Sequence, residues 1–400
     1  MSELNVGDLN ISQNCNFAVY ATANRPVGVD IGFIIFNSDE SKLQVWDGSN
    51  WISFGQSSYD MSGSGNVTTT DLSGDFSGYR VLKFTGNGTL NVSQSNQDGG
   101  IEMLLIAGGG GGGGVIGGGG GAGGVIYRRS LYLPPGSYTI NIGAGGDGGR
   151  GWNNAEQEGR AGNPSTFVGG DVSYEAVGGG GGCGHGGATP NRIGGNGGSG
   201  GGSANIFRRG GSAIGNNTGP IEVVQSIRSV YAAPSNNAMA SNTILQACTA
   251  DQGGNGDAFY RRGIQGYPGG NWGDGDAGAG GGGAGGAGIN GGRPRDVGGP
   301  GGSGIFNAIT GTEVGYAGGG GGGTRGTGRR RSEGGAGGGG KGGRNTLSPA
   351  SYGAATGEQA EAGQTNTGGG GGGGGYNGSS SAIIGAPGGP GICIIRFKRT

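Results

Sequence analysis

The chain has 400 residues, 115 of them glycine, about 29% against a usual share of roughly 7%. The glycines fall in unbroken runs rather than strictly at every third position, which excludes a collagen triple helix. Hydrophobic residues supply 31% of the chain, too few for a conventional globular core of this length, and the formal net charge is −1 from 25 basic and 26 acidic residues. That balance gives no global field to draw the chain to nucleic acid or to an anionic membrane.

No apolar stretch approaches the ~20 residues needed to span a bilayer. The opening Met1–Asp8 has neither the basic nor the apolar region of a Sec signal, so the expectation is assembly in a cytosol. Cys15, Cys183, Cys248 and Cys393 are too few and too scattered for a disulfide framework.

In chain order, residues 1–55 read as a small β-meander. Phe33–Asn37, Lys42–Asp47 and Trp51–Phe54 are β-rich or alternate with period two, and polar turns separate them. Three strands bury one face but are marginal alone, which predicts a docking or trimerisation role. Residues 56–78, rich in Ser, Thr, Gly and Asp without periodicity, read as a linker. The second region, 79–400, opens with strands at Tyr79–Phe84 and Thr89–Ser93, joined by a turn at Gly86-Asn87-Gly88. Further strands are expected at 101–107, 136–143, 165–168 and 392–397, so first and last members bracket the glycine-rich sequence. The fold class expected is all-β.

Between these strands lie seven glycine runs of four or more: 108–114, 117–121, 178–182, 280–283, 318–323, 337–340 and 368–375. One reading is flexible linker. The other is a bundle of polyglycine II helices, left-handed and rising ~3.1 Å per residue. Such helices carry no internal hydrogen bonds, so their N–H and C=O groups must pair with neighbours. Neighbours approach closely enough only where no Cβ intervenes. Ile106-Ala107 runs straight into Gly108, and Val177 into Gly178, which favours the bundle. Residues 221–252 contain no glycine and form an insert, either a specificity module or a solvent-facing cap.

The order of blocks is distinctive. IEMLLIA (101–107) enters a glycine run, GGAGGVIY (120–127) and LPPGSYTINIGAGG (133–146) follow, then GNPSTF (162–167), NTGGGGGGGG (366–375) and GGPGICIIRF (388–397). This resembles the glycine-rich domain of bacteriophage tail-fibre and virion appendage proteins, and more distantly the glycine-rich ectodomain of receptor tyrosine kinases. The resemblance implies a jelly-roll-like β-sandwich carrying an inserted polyglycine II bundle. GFIIFN and KLQVWDGSNW also resemble a short phage-fibre module near the attachment end.

Patterns for chemistry are weak. Gly335–Lys341 mimics a phosphate-binding loop, but Gly342 stands where Ser or Thr must reach magnesium. Gly197–Gly201 spells a nucleophile elbow without its strand and helix. His185 is the single histidine; with Cys183 it offers two metal ligands or, alternatively, a packed turn. Asp274 and Asp276 sit in a glycine-rich loop and read either as calcium ligands or as a solvated turn. No catalytic, metal or cofactor site is expected.

Arginines cluster at 128–129, 208–209, 261–262 and 329–331. Their guanidinium forks suit either unpaired carbonyls of the glycine segments or anions on a cell-surface polymer. Trp152, Tyr260, Tyr267 and Trp272 stand in otherwise bare loops, so Trp152, Tyr260, Arg261, Arg262, Tyr267 and Trp272 are the candidate receptor contacts. The expected protein is a non-enzymatic virion appendage subunit, a homotrimer. It would be joined to other virion proteins by its N-terminal module, and would bind a host surface glycan or protein without nucleic acid or membrane insertion. Alternatives are a head fibre or capsid decoration protein without receptor role, and a cellular extracellular filament.

Overall fold

A computed structural model describes residues 17–40, 42–53, 59–94, 100–150, 157–184, 193–204, 209–214, 265–272, 277–292, 297–325, 330–345, 357–376 and 384–399. The chain is all-β, with no α-helix among the described residues. It divides into two compact units, one reaching Ser58 and one spanning Tyr59–Arg399.

The first unit contains the expected meander: β2 (Ile34–Asn37), β3 (Lys42–Trp46) and β4 (Trp51–Ser53) pair antiparallel in sequence order. A short β1 (Val19–Tyr20) adds parallel to β2. Asp47 closes the β3–β4 turn by accepting hydrogen bonds from the N–H groups of Ser49 and Asn50 at 2.7 and 2.6 Å. Those bonds hold its carboxyl below the usual carboxylate range.

The second unit starts earlier than the sequence indicates. Within the stretch that reads as linker, Asp60–Asp71 form β5, paired along β6 (Tyr79–Gln94). β5 is an edge strand with mostly exposed residues, so its Ser, Thr and Gly carry no alternating apolar signal. A second correction concerns Gly86–Gly88. No turn forms there; β6 runs straight through, and its two halves pair with different strands. Tyr79–Phe84 pair with β16 (Ile392–Lys398), whereas Gly88–Val92 pair with β9 (Gly136–Asn141). At this corner β5 and β6 press together. A Cβ on Gly88 would strike the Ser64 carbonyl, and one on Gly65 (φ +87°) the Asn87 carbonyl. The glycines serve close approach across a bend rather than chain reversal.

Two half-sheets therefore share β5 and β6. One continues β16–β7–β8, with β7 at Ile101–Ile106 and β8 at Val125–Leu131. The other continues β9–β10–β11, with β10 at Ser165–Gly169 and β11 at Val172–Ala176. β10 lies against β7 and β11 against β8, so the sandwich is nearly closed. Its core includes Phe84, Leu90, Met103, Leu105, Tyr138, Phe167 and Phe397. The outer face of β7 and β16 is covered too: Leu104, Ile106 and Ile394 pack on Ile305 and Tyr316 of the hairpin β12 (Ile305–Asn307) and β13 (Val314–Tyr316). Burial on both faces explains why these strands read as unbroken apolar runs rather than alternating ones. A small ladder, β14 (Arg344–Asn345) with β15 (Gly357–Glu358), completes the strands.

Burial also sets an alkaline limit. Tyr127, 8% exposed, donates from its hydroxyl to Glu102 Oε2 at 2.7 Å. Desolvation first, then this bond, pushes its pKa up to about 12, and desolvation does the same for Tyr316. An unfolded tyrosine titrates near 10. A folded pKa raised above the unfolded one means the native state holds the proton more tightly. Their contribution is thus complete below pH 10 and is lost as pH rises from about 10 to about 12. Denaturant midpoints measured from pH 9 to 11.5 should stay level and then fall.

The glycine runs leave the strands without a break and pack beside the sandwich. In 108–114 the direction of hydrogen bonding repeats every third residue. The N–H groups of Gly108, Gly111 and Gly114 donate to Asn163, Arg160 and Gln157. Those of Gly109 and Gly112 donate to Gly389 and Ala386, and those of Gly110 and Gly113 to Gly121 and Gly118. The carbonyls follow suit: Gly108 and Gly111 accept from Gly179 and Gly182, Gly109 and Gly112 from Gly146 and Gly149, and Gly110 and Gly113 from Gly371 and Gly374. These bonds span 2.7–3.0 Å. One segment thus has six neighbours, three receiving and three donating. Gly117–Ala122 is surrounded in the same manner, by 110–113, 180–183, 199–202, 279–282, 320–323 and 371–374.

Such packing leaves no room for side chains. A Cβ built on Gly109, Gly110 or Gly111 would fall on the carbonyl oxygen of Gly369, Gly180 or Asp147, well inside van der Waals contact. Segments at the rim obey a relaxed rule, because one direction in three faces solvent. In 143–150 the non-glycine residues Ala144, Asp147 and Arg150 are exposed, while Gly143, Gly146 and Gly149 are buried. Ile384 and Pro387 are likewise exposed, with Pro390 half-buried, and Val297, Pro300 and Ser303 recur at the same spacing but half-buried. The lattice is therefore wider than its uninterrupted runs.

Candidate functional site

The aromatic candidates for surface contact are partly placed. Trp152, Tyr260, Arg261 and Arg262 lie outside the described residues, as does the 221–252 insert. Tyr267 and Trp272 are described, and the lattice brings them to one edge. Tyr267 is fixed through its backbone: its N–H donates to Gly283 at 3.1 Å and its carbonyl accepts from Gly200 at 3.0 Å. Trp272 bridges to Gly291 in parallel register. Both are partly buried.

Three rim segments, 265–272, 288–292 and 297–304, form this edge. Gly288 donates to Pro268 at 3.0 Å and Ile289 to Pro300 at 3.0 Å, which sets the segments side by side. The Asn271 N–H donates to Asn290 Oδ1 at 2.8 Å, and Asn271 Oδ1 accepts from Gly210 at 3.0 Å. Ile289 stands 56% exposed. The described residues of these segments include no Asp, Glu, Lys or Arg. Among its described residues this edge is uncharged, with two aromatic residues, two amides and prolines on a backbone anchored by hydrogen bonds. Asn271, Ile289 and Asn290 escape a reading based on glycine runs. Their signal is the interruption of glycine at roughly three-residue intervals, which marks the solvent-facing direction of a rim segment.

At the root of this edge, Gln265 is 7% exposed and ties the lattice to the sandwich. Its Nε2 donates to the Glu175 carbonyl at 2.9 Å and its Oε1 accepts from the Val177 N–H at 2.8 Å. Ser165 serves a similar junction: its Oγ donates to the Ile106 carbonyl at 2.8 Å and accepts from the Gly143 N–H at 2.9 Å.

A family model for the glycine-rich domain matches residues 84–398, most of the chain. The chain belongs to the glycine-rich domain family. None of the curated proteins compared with it gives a match.

Within this glycine-rich domain several of the described arginines make structural contacts. Arg331 donates Nε to the Gly342 carbonyl at 3.0 Å and Nη2 to Gln359 at 2.7 Å, while Nη1 meets Glu361 at 2.7 Å. Arg128 lies 5.0 Å from the Tyr174 ring centroid and Arg325 5.3 Å from that of Tyr376. Lys341–Glu333 and Arg344–Glu358 pair neighbouring rim segments at 2.9 and 2.8 Å. The Arg344 hydrogen bond holds the exposed Glu358 carboxyl below its ordinary range.

The cysteines described in the glycine-rich domain are buried thiols. Cys183 Sγ approaches the Gly184 carbonyl at 3.4 Å, and burial pushes the Cys393 thiol up, away from thiolate. His185, Asp274 and Asp276 fall outside the described residues. Among the described residues no three His, Cys, Asp or Glu side chains group to hold a metal, and no helix is long and apolar enough to cross a membrane.

Proposed function

We propose that this chain is a non-enzymatic virion appendage subunit, a phage tail fibre or a related fibre, that attaches to a host cell surface. In this reading the glycine segments are polyglycine II helices standing on a jelly-roll-like sandwich. The three-residue recurrence of donor direction supports the helical assignment, since polyglycine II has three residues per turn. The subunit acts as a homotrimer in the virion, with the first unit joined to other virion proteins and the glycine-rich unit presenting its edge to a surface glycan or protein.

The observation that carries this reading is the edge bearing Tyr267 and Trp272, uncharged among its described residues, on a backbone held by hydrogen bonds to neighbouring segments. Aromatic faces beside amides suit apolar sugar faces and ring hydroxyls. A scaffold already ordered loses little entropy on binding, and repeated copies convert weak contacts into avidity.

Purified full-length protein should block adsorption of particles that display it. A Tyr267→Ala/Trp272→Ala variant should need at least about tenfold more protein for the same block, since losing two aromatic contacts removes about 1.4 kcal/mol or more. Undiminished blocking by that variant would move the contact surface elsewhere. Release of reducing ends or other cleavage products from purified envelope would overturn the non-enzymatic reading.

A further inference from the structure

A glycine run has no side chains to fix how far along its axis it sits. In 108–121 the bonding directions recur every third residue, so a run displaced by three residues meets equivalent backbone partners. Val115 and Ile116 are the only residues of this stretch other than glycine. They make the turn between the outgoing run 108–114 and the returning run 117–121. The two runs pair through the N–H groups of Gly110 and Gly113, which donate to Gly121 and Gly118 at 2.8 Å.

The turn is an unfavourable one for these residue types. Val115 and Ile116 have φ of +28° and +49°, in the left-handed region that β-branched residues resist and glycine enters freely. Strain of this kind persists only where the surroundings enforce it. Both side chains are 1% exposed and pack against Tyr376, which follows directly on the run 368–375. The Tyr376 N–H donates to the Thr324 carbonyl at 3.2 Å, and the Arg325 guanidinium lies over its ring, so the end of 318–323 meets the same cluster.

We propose that Val115 and Ile116 are a register lock, two side chains that admit a single axial position for the runs they join. Consider the returning run slipped by three residues, with three residues looped out at its foot. Val115 and Ile116 then occupy the sites of Gly118 and Gly119, where a Cβ falls on the carbonyl oxygens of Gly202 and Gly320. The converse slip of the outgoing run seats them at the sites of Gly112 and Gly113, where a Cβ falls on the carbonyl oxygens of Gly372 and Cys183. The first side-chain carbon alone closes both displacements. At the turn both residues fit, and Tyr376 covers them. With glycine at 115 and 116 the stretch 108–121 has no Cβ, and neither slip meets that obstacle.

Two variants of the full chain, read by glycine-selective 15N spectra and hydrogen exchange, test the lock. Val115→Ala/Ile116→Ala keeps both Cβ atoms and trims the contact with Tyr376. It should melt below wild type yet show one signal for each glycine of 108–114 and 117–121. Val115→Gly/Ile116→Gly relieves the backbone strain and removes the obstacle. Its glycines in those runs should each give more than one signal, and their amides should exchange at least about tenfold faster than in wild type. Amides of β6, β7 and β16 should stay as protected as in wild type in both variants. A single set of run signals from the glycine variant would overturn the lock. Multiple sets from the alanine variant would also overturn it, because apolar packing rather than the Cβ obstacle would then set the register. Loss of protection in β6, β7 and β16 in either variant would count against it equally, by placing the pair in the core that holds the sandwich.

Discussion

Gly110→Ala should destabilise the glycine-rich unit by at least about 3 kcal/mol, the upper range for overpacking a core. On an exposed, unstrained site the same change would stabilise slightly, because alanine restricts the unfolded chain. Here the added Cβ would land on the Gly180 carbonyl oxygen, a backbone atom that no rotamer change moves. Gly110 sits within a segment bonded to six neighbours, so relieving the overlap means separating hydrogen-bonded segments. The matched control is Asp147→Ala, at an exposed rim position, which should change stability by no more than about 0.5 kcal/mol. Urea denaturation of both variants measures the contrast. Equal effects would mean that the lattice is loose enough to accept a methyl group anywhere.

Glu102→Ala should cost about 3–5 kcal/mol, the usual penalty for orphaning a buried charge. Glu102 faces Arg396 directly across β7 and β16 and pairs with it at 2.6 Å; the two side chains are 19% and 11% exposed. The Arg396 guanidinium also lies 4.9 Å from the Phe76 ring centroid and donates to the Ala308 carbonyl at 3.2 Å. Removing the carboxylate leaves the guanidinium enclosed with its main counter-charge gone and deprives the Tyr127 hydroxyl of its acceptor. Glu102→Leu/Arg396→Met should lose less than Glu102→Ala alone, because no unpaired charge remains. Thermal melts rank the three proteins. If the double variant is the least stable, the pair contributes net attraction rather than merely avoiding a penalty.

Much of the strand framework is legible in the sequence. IEMLLI and ICIIRF are dense apolar runs because both of their faces are buried, and the meander at 34–53 shows itself through period-two alternation and polar turns. β5 is not legible, because an edge strand with solvent on most of its side chains keeps a linker's composition. Gly86–Gly88 mislead in the opposite sense: glycine marks tight backbone approach as well as turns, and local sequence does not separate the two uses. The candidate site is legible in part. Tyr267 and Trp272 stand out as aromatics among glycines, but Asn271, Ile289 and Asn290 join them through lattice neighbours distant in sequence.

The sequence by itself points to an all-β chain and favours glycine segments that bond to one another over flexible linkers, because the runs abut strand sequences directly. Long Cβ-free runs allow the close approach through which so many backbone groups can pair. Tertiary structure decides which segments are neighbours and hence which residues reach solvent. A glycine run carries no side chains to encode a preferred partner. Partner choice falls to the strands and junction residues, such as Ser165 and Gln265, that fix where each segment leaves the sandwich.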